Sequence, residues 1–148
     1  VFVLPAFERF AESDDNFTTV DMVPGDKDEV KQAMKDGQVA TFHAYFPPGH
    51  YPTNFTKWFQ PNPSGEFSYP IKYDKRFEPY IIAYKQGLPR FWDGFRGFGL
   101  NAAVWFWELD VAGYSFEVLR DHFVVHMNHP GRKGRNFTGG SIPKLQLR

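Results

Sequence analysis

The chain opens on Val1-Phe2-Val3-Leu4, an unbroken apolar run rich in β-branched residues, which predicts a central strand. Pro5-Ala6-Phe7-Glu8 then reads as a turn into a polar stretch that reaches Met22. Asp26 stands three residues before Glu29, the spacing of a capping box, and Val30, Ala33 and Met34 follow at helical intervals. A helix is therefore predicted from Asp26, stopped by Gly37. Residues 39–46 predict a strand that Pro47-Pro48-Gly49 breaks. Residues 50–64 hold no clean period and read as an irregular loop, with a strong turn signal at Pro61-Asn62-Pro63-Ser64-Gly65. Residues 67–73 alternate as a strand, and residues 80–84 form a compact apolar one. Three glycines fall within 94–99, after which Asn101 is the expected cap of a helix through Ala112, with Gly113 as its stop. Residues 114–119 and 122–127 predict two more strands. From Gly131 the pattern fades into a basic tail. This alternation of strands and helices predicts an α/β fold, not an all-β sandwich.

Composition narrows the function classes. At 148 residues the chain has the size of one domain with one core. Lys plus Arg (17) equals Asp plus Glu (17), so it lacks the basic excess of a protein that grips nucleic acid through bulk charge. No apolar run approaches the ~18 residues of a membrane span. The absence of cysteine excludes disulfides, thiolate metal sites and cysteine nucleophiles. Aromatic residues make up 19% of the chain, which points to an aromatic core, a stacking surface for sugars or bases, or both. A strand with no lead-in at Val1 predicts a fragment of a larger domain, one expected to fold poorly alone because it leaves a sheet edge unpaired.

Several groups could carry chemistry. His122, His126 and His129 would share a face on a helix. The intervening Phe123-Val124-Val125 favours a strand, where His122 and His126 share a side and His129 lies beyond the end, so a single histidine ligand completed by distant carboxylates is the better metal reading. Asp26-Lys27-Asp28 has the D-x-D form of a divalent-cation clamp, but no apolar strand precedes it and Asp26 already serves as a helix cap. Gly94-Phe95-Arg96-Gly97-Phe98-Gly99 matches neither a dinucleotide fingerprint nor a P-loop; it is either a ligand-facing turn or a purely structural one. Asn16, Asn54 and Asn136 head N-glycosylation sequons, which hint at the secretory pathway.

An ordered set of short motifs goes further. Val3-Leu4-Pro5-Ala6-Phe7-Glu8, Pro52-Thr53-Asn54-Phe55 with Trp58, Phe77-Glu78-Pro79-Tyr80, Gly97-Phe98-Gly99 with Asn101, Glu108-Leu109-Asp110, Gly113-Tyr114, Phe116-Glu117-Val118-Leu119 and Val125-His126-Met127 with His129 occur in sequence. Over residues 1–130 this resembles glycosyltransferase family 49, the family of the LARGE-type xylosyl- and glucuronyltransferases and the xylose β-1,4-glucuronyltransferase.

The resemblance implies the C-terminal portion of a GT-A fold, a mixed sheet flanked by helices, with 131–148 a weakly structured basic tail. It implies an inverting, metal-dependent transfer of glucuronic acid from UDP-glucuronate to a xylose-containing glycan, on the lumenal side of the Golgi membrane. The manganese-binding D-x-D pair would lie before Val1, so the fragment alone would be inactive. His126 matches the family histidine that completes the manganese site, and His129 matches a second histidine of the LARGE-type members, with Asn128 replacing a proline between them. Gly97, Phe98, Gly99 and Asn101 fall on an acceptor-side segment in which Leu100 replaces a tryptophan and Ala102 a lysine. Thr53, Asn54 and Trp58 match a loop where an aromatic ring could stack on a sugar. Inverting transfer needs a carboxylate to accept the hydroxyl proton; Glu78 is the candidate, with a structural hydrogen bond as its alternative role. The losses at Leu100 and Ala102 also leave open a degenerate, non-catalytic member that acts as a glycan-binding module.

Overall fold

The computed structural model describes residues 1–9, 23–95 and 100–127. The first apolar run forms β1 (Phe2–Leu4), and the chain passes through Pro5 directly into a second strand, β2 (Ala6–Arg9). The turn expected at residues 5–8 is therefore a strand, with Ala6 and Phe7 buried. The remaining elements are α1 (Lys27–Lys35), β3 (Val39–Thr41), α2 (Phe55–Trp58), β4 (Ser68–Ile71), β5 (Tyr80–Ile82), α3 (Asn101–Val111), β6 (Phe116–Leu119) and β7 (Val124–His126). They make two mixed sheets, ordered β4-β6-β1-β5 and β3-β2-β7, as expected of an α/β chain.

The same two stretches of chain supply the central pairing of both sheets. β1 runs parallel to β6 with Val3 opposite Val118, and β2 runs parallel to β7 with Phe7 opposite Val125. On the other side, β5 pairs antiparallel with β1, placing Tyr80 opposite Leu4, and β3 pairs antiparallel with β2, placing Thr41 opposite Phe7. The change of sheet falls at Pro5, whose missing N–H cannot extend a ladder. Its carbonyl accepts from Val124 N at 2.9 Å, and the Ala6 carbonyl accepts from Phe42 N at 3.0 Å, so the backbone stays engaged across the break.

Local signals explain the helix ends. Asp26 Oδ1 accepts from both Asp28 N and Glu29 N at 2.9 Å, while Glu29 reaches back to Gly25 N at 2.7 Å. Gly37 (φ +72°) closes α1, with Gly37 N bonded to Met34 O and Gln38 N to Ala33 O, the paired bonds of a Schellman stop. Gly113 (φ +84°) repeats this pattern at the end of α3. The start of α3 differs from expectation: Leu100 (φ +60°) is its cap, Asn101 is its first residue, and no side chain bonds the first turn.

Two further expectations are corrected. The strand expected over 39–46 ends at Thr41, because Phe42 pairs with Ala6 and His43 takes a left-handed conformation (φ +53°) that turns the chain away. The loop expected over 50–64 contains a 3-10 turn at Tyr51–Thr53 and the single turn α2, capped by Asn54 Oδ1 on Lys57 N at 3.1 Å. An element this short shows no periodicity, so only its cap could have revealed it.

Trp58 holds the centre. Its side chain is wholly buried, its ring lies 5.4 Å from Phe7, 4.9 Å from Phe59 and 5.8 Å from Phe123, and its indole N–H donates to Leu119 O at 3.0 Å. Lys27 Nζ lies 4.6 Å from the ring centroid, donates to Trp58 O and pairs with Asp121. This one residue thus ties α1 and α2 to the end of β6. The same core joins α3 to the start of β6: Phe106 and Leu109 pack with Phe116, which stacks on Tyr73 at 5.7 Å.

Trp58→Phe keeps most of this ring contact but leaves the Leu119 carbonyl without its buried donor. We expect a loss of about 1–3 kcal/mol, read as a lower urea midpoint with an unchanged slope. An unchanged midpoint would show that the bond contributes nothing.

Candidate active cleft

The break at Pro5 leaves a gap between β3 and β5, which pair with the same side of the β1–β2 segment. A cleft of about 290 Å³ opens there, lined by residues leaving β3 (Phe42, His43), residues entering β5 (Glu78, Pro79, Tyr80), His50, and the first turns of α3 (Ala102, Phe106). A point where neighbouring strands diverge exposes backbone ends and room for a ligand, the usual location of a site in an open sheet.

Phe42 is the hub of the cleft. His43 stacks on its ring at 3.8 Å, His50 meets it edge-on at 5.2 Å, Tyr80 lies 5.6 Å away and His126 5.1 Å away. Nothing in the sequence singles out His43 and His50 as site residues. Six residues separate them, and the left-handed turn at His43 and the 3-10 turn at Pro47–Gly49 fold the chain so that their rings lie 5.8 Å apart.

Glu78 is held from three directions. Phe77 before it is wholly buried, Pro79 after it favours extended backbone, and its N–H donates to Gly49 O at 2.9 Å. The carboxylate is close enough to Tyr73 to affect its titration: burial first, then Asp110, Asp74 and Glu78, push the Tyr73 phenol up to about 12. Glu78 and Ala102 therefore share one cleft, immediately after the glycine-rich segment.

The other expected site residues are distributed differently. Thr53 is buried, its carbonyl accepting from Tyr69 Oη at 2.7 Å. Asn54 is exposed at the cap of α2, so burial does not block its sequon. Trp58 was expected to present a ring to a sugar; it is 0% exposed and enclosed by Phe7, Phe59 and Phe123, leaving no free face. Asn101 is exposed at the start of α3. Gly97, Phe98, Gly99 and His129 lie outside the described residues, as do the sequons at Asn16 and Asn136 and the basic tail at 131–148.

His126 ends β7 opposite Glu8 in a parallel pair, so the two side chains share a sheet face, the one turned away from Phe7. Glu8 escaped sequence reasoning because residues 5–8 read as a turn; the alternation of buried Phe7 with half-buried Glu8 was its signal. Among the described residues no three such donors converge closely enough to hold a metal ion. His126 and Glu8 do not make a manganese site by themselves.

His50 is buried and 5% exposed. Burial first, and the neighbouring His43 second, lower its pKa from 6.5 to about 4, so the imidazole is neutral at pH 7.

Comparison with known proteins places the chain among glycosyltransferases. Residues 1–137 match the family 49 glycosyltransferases, described as "Glycosyl-transferase for dystroglycan". The chain is 34% identical to human "Xylosyl- and glucuronyltransferase LARGE1" over 130 residues, covering 86% of this chain and 15% of that protein. It is 32% identical over 108 residues to "Glycosyltransferase-like protein LARGE" of Caenorhabditis elegans, covering 72% and 16%. Against rat "Xylosyl- and glucuronyltransferase LARGE2" it is 30% identical over 132 residues, covering 86% and 17%. The chain spans about one-sixth of the length of these relatives.

The buried neutral His50 makes stability fall in acid. The unfolded chain binds a proton below pH 6.5 and the folded chain only below about 4, so stability is intact above 6.5 and is lost as pH falls between those values. We expect a decline of about 3 kcal/mol across that window. It would be read from urea midpoints at pH 7.5 and pH 4.5, and His50→Gln should flatten the dependence. An equally steep slope in the variant would assign the effect to another group.

Proposed function

The chain belongs to glycosyltransferase family 49, and on that premise we propose that it forms the acceptor side of an inverting glucuronyltransferase. The substrates are UDP-glucuronate and a xylose-containing glycan, encountered in the Golgi lumen. The observation that carries this reading is the cleft at the Pro5 break, which Glu78 lines together with His43, His50 and the start of α3.

The chemistry follows from that placement. Glu78 accepts the proton of the attacking acceptor hydroxyl as the hydroxyl oxygen bonds to the anomeric carbon. The bond to the diphosphate oxygen breaks on the opposite face, and its electron pair leaves with the nucleotide, so the configuration inverts. The Pro79 constraint and the bond from Glu78 N to Gly49 O fix the carboxylate's backbone before substrate arrives. Neutral His50 can donate or accept hydrogen bonds to sugar hydroxyls, and the rings of Phe42, His43 and Tyr80 offer surface beside it. Gly97, Phe98, Gly99 and Asn101 are further acceptor-binding residues in this reading, as are Thr53 and Asn54 in the turn that precedes α2. In this arrangement Trp58 positions α2 instead of touching sugar.

His126, with His129 as a further candidate, would hold the manganese, which would supply charge neutralisation of the departing diphosphate. Its carboxylate donors would come from elsewhere in the longer protein, consistent with the short coverage of the relatives.

A second reading has its own support. Ala102 lines the cleft where the family segment carries a lysine, and Leu100 is 60% exposed where that segment carries a tryptophan. A cleft without that cation and ring can hold a glycan without transferring to it.

The test compares the full-length protein carrying this chain with its Glu78→Gln variant, using UDP-glucuronate, manganese and a xyloside. Transfer should fall at least about 100-fold while the melting temperature holds. Near-normal transfer by the variant would place the base elsewhere. Xyloside binding by a wild-type protein that makes no product would favour the binding module.

A further inference from the structure

A larger groove lies on the far side of the Tyr51–Thr53 turn from the cleft. It encloses about 640 Å³ between α2 with its preceding turn and the strand β4 with its exit to Asp74. That volume falls in the range of about 300–1,000 Å³ typical of small-molecule sites. Tyr51 exposes 56% of its surface beside it, and Pro70 and Tyr73 extend the flat lining.

The groove carries two cations. Lys57 and Lys72 both line it, and Lys57 Nζ lies 4.7 Å from the Tyr69 ring centroid, over the buried floor. Among the described lining residues the one acid is Asp74, whose Oδ2 accepts from Tyr51 Oη at 3.2 Å and Oδ1 from Arg76 N at 3.1 Å. Two lysines against one carboxylate leave a positive excess in that lining, and Asp74 fixes Tyr51 across the groove. Both walls are tied together by Tyr69 Oη on Thr53 O at 2.7 Å, and the Asn54 cap on Lys57 N holds the α2 wall, so the groove is formed before any ligand binds.

Flat rings suit the apolar face of a pyranose, and lysines suit a carboxylate. We propose that this groove is a second saccharide site, selective for a sugar bearing a carboxylate. Lys57 and Lys72 pair with the carboxylate while the Tyr51 ring packs on the sugar face. His50 lines the cleft and Tyr51 the groove, and Asp74 stands four residues before Glu78, so one turn separates the two sites. An extended glycan can occupy both, with a neutral unit at Glu78 and an acidic unit in the groove. The proposal rests on the transferase reading only for the class of ligand.

Calorimetry without nucleotide sugar tests it, so a failure of transfer chemistry leaves this readout intact. The probes are a methyl glucuronyl-xyloside and its uronate methyl ester, offered to the full-length protein at low salt. The acid should bind at least roughly tenfold tighter than the ester, and Lys57→Gln/Lys72→Gln should abolish that preference. Lys72→Gln alone, at an exposed position, should remove part of it without affecting the fold. Tyr51→Ala should weaken acid and ester alike. Equal binding of acid and ester, or a preference that survives the double variant, overturns the proposal. Inorganic phosphate competing as strongly as the disaccharide also overturns it, since the groove would then be a simple anion site.

Discussion

Pro5 cannot donate a backbone hydrogen bond, and the layout of the molecule follows from that deficit. The first nine residues would otherwise extend one strand; instead they serve two sheets, with the partner stretch through β6 and β7 crossing beside them. The chain can switch because both halves are anchored by buried residues, Val3 against Val118 and Phe7 against Trp58. On the side away from β6 and β7, β3 and β5 cannot meet across the switch. The candidate cleft is the space they leave.

The cleft combines rigidity with unequal polarity. Phe42 is bonded to Ala6 through its backbone and crowded by three imidazoles and Tyr80, so the rings support one another with little freedom. Burial that keeps His50 neutral also keeps a fixed charge out of the cleft wall, and among the described residues the only carboxylate lining the cleft is that of Glu78. A carboxylate in the same cleft as a neutral, hydrogen-bonding His50 suits proton transfer from a sugar hydroxyl. The opposite character appears across the Tyr51 turn, where the described residues lining the groove include two lysines against one acid, Asp74.

Much of this fold was legible residue by residue. The capping box at Asp26 and the glycines at 37 and 113 gave helix boundaries because their chemistry is local. What escaped was set by tertiary contacts. The turn at His43 is left-handed in a residue that rarely adopts that conformation, so nothing in 39–46 could shorten the strand in advance. Pro5 signalled a turn, although a proline can equally mark the place where a strand changes sheets. Leu100 caps α3 with a left-handed backbone and no side-chain bond, so the polar residue beside it, Asn101, pointed one position too far along.

For the site, Glu78 was reached through family resemblance, and its surroundings were not legible at all: His43 and His50 become neighbours only through two consecutive turns. Trp58 shows the converse. Its residue type fits a sugar platform as well as a core, and only packing distinguishes the two. The central claim is that an acceptor sugar binds in the cleft beside the Pro5 break. The most direct measurement is an NMR titration of the protein with a methyl xyloside, following the Ala102 methyl and the His43 and His50 ring signals. The account predicts that these shift together and saturate at one dissociation constant. Unmoved signals at all three, with saturable shifts elsewhere on the chain, would contradict it.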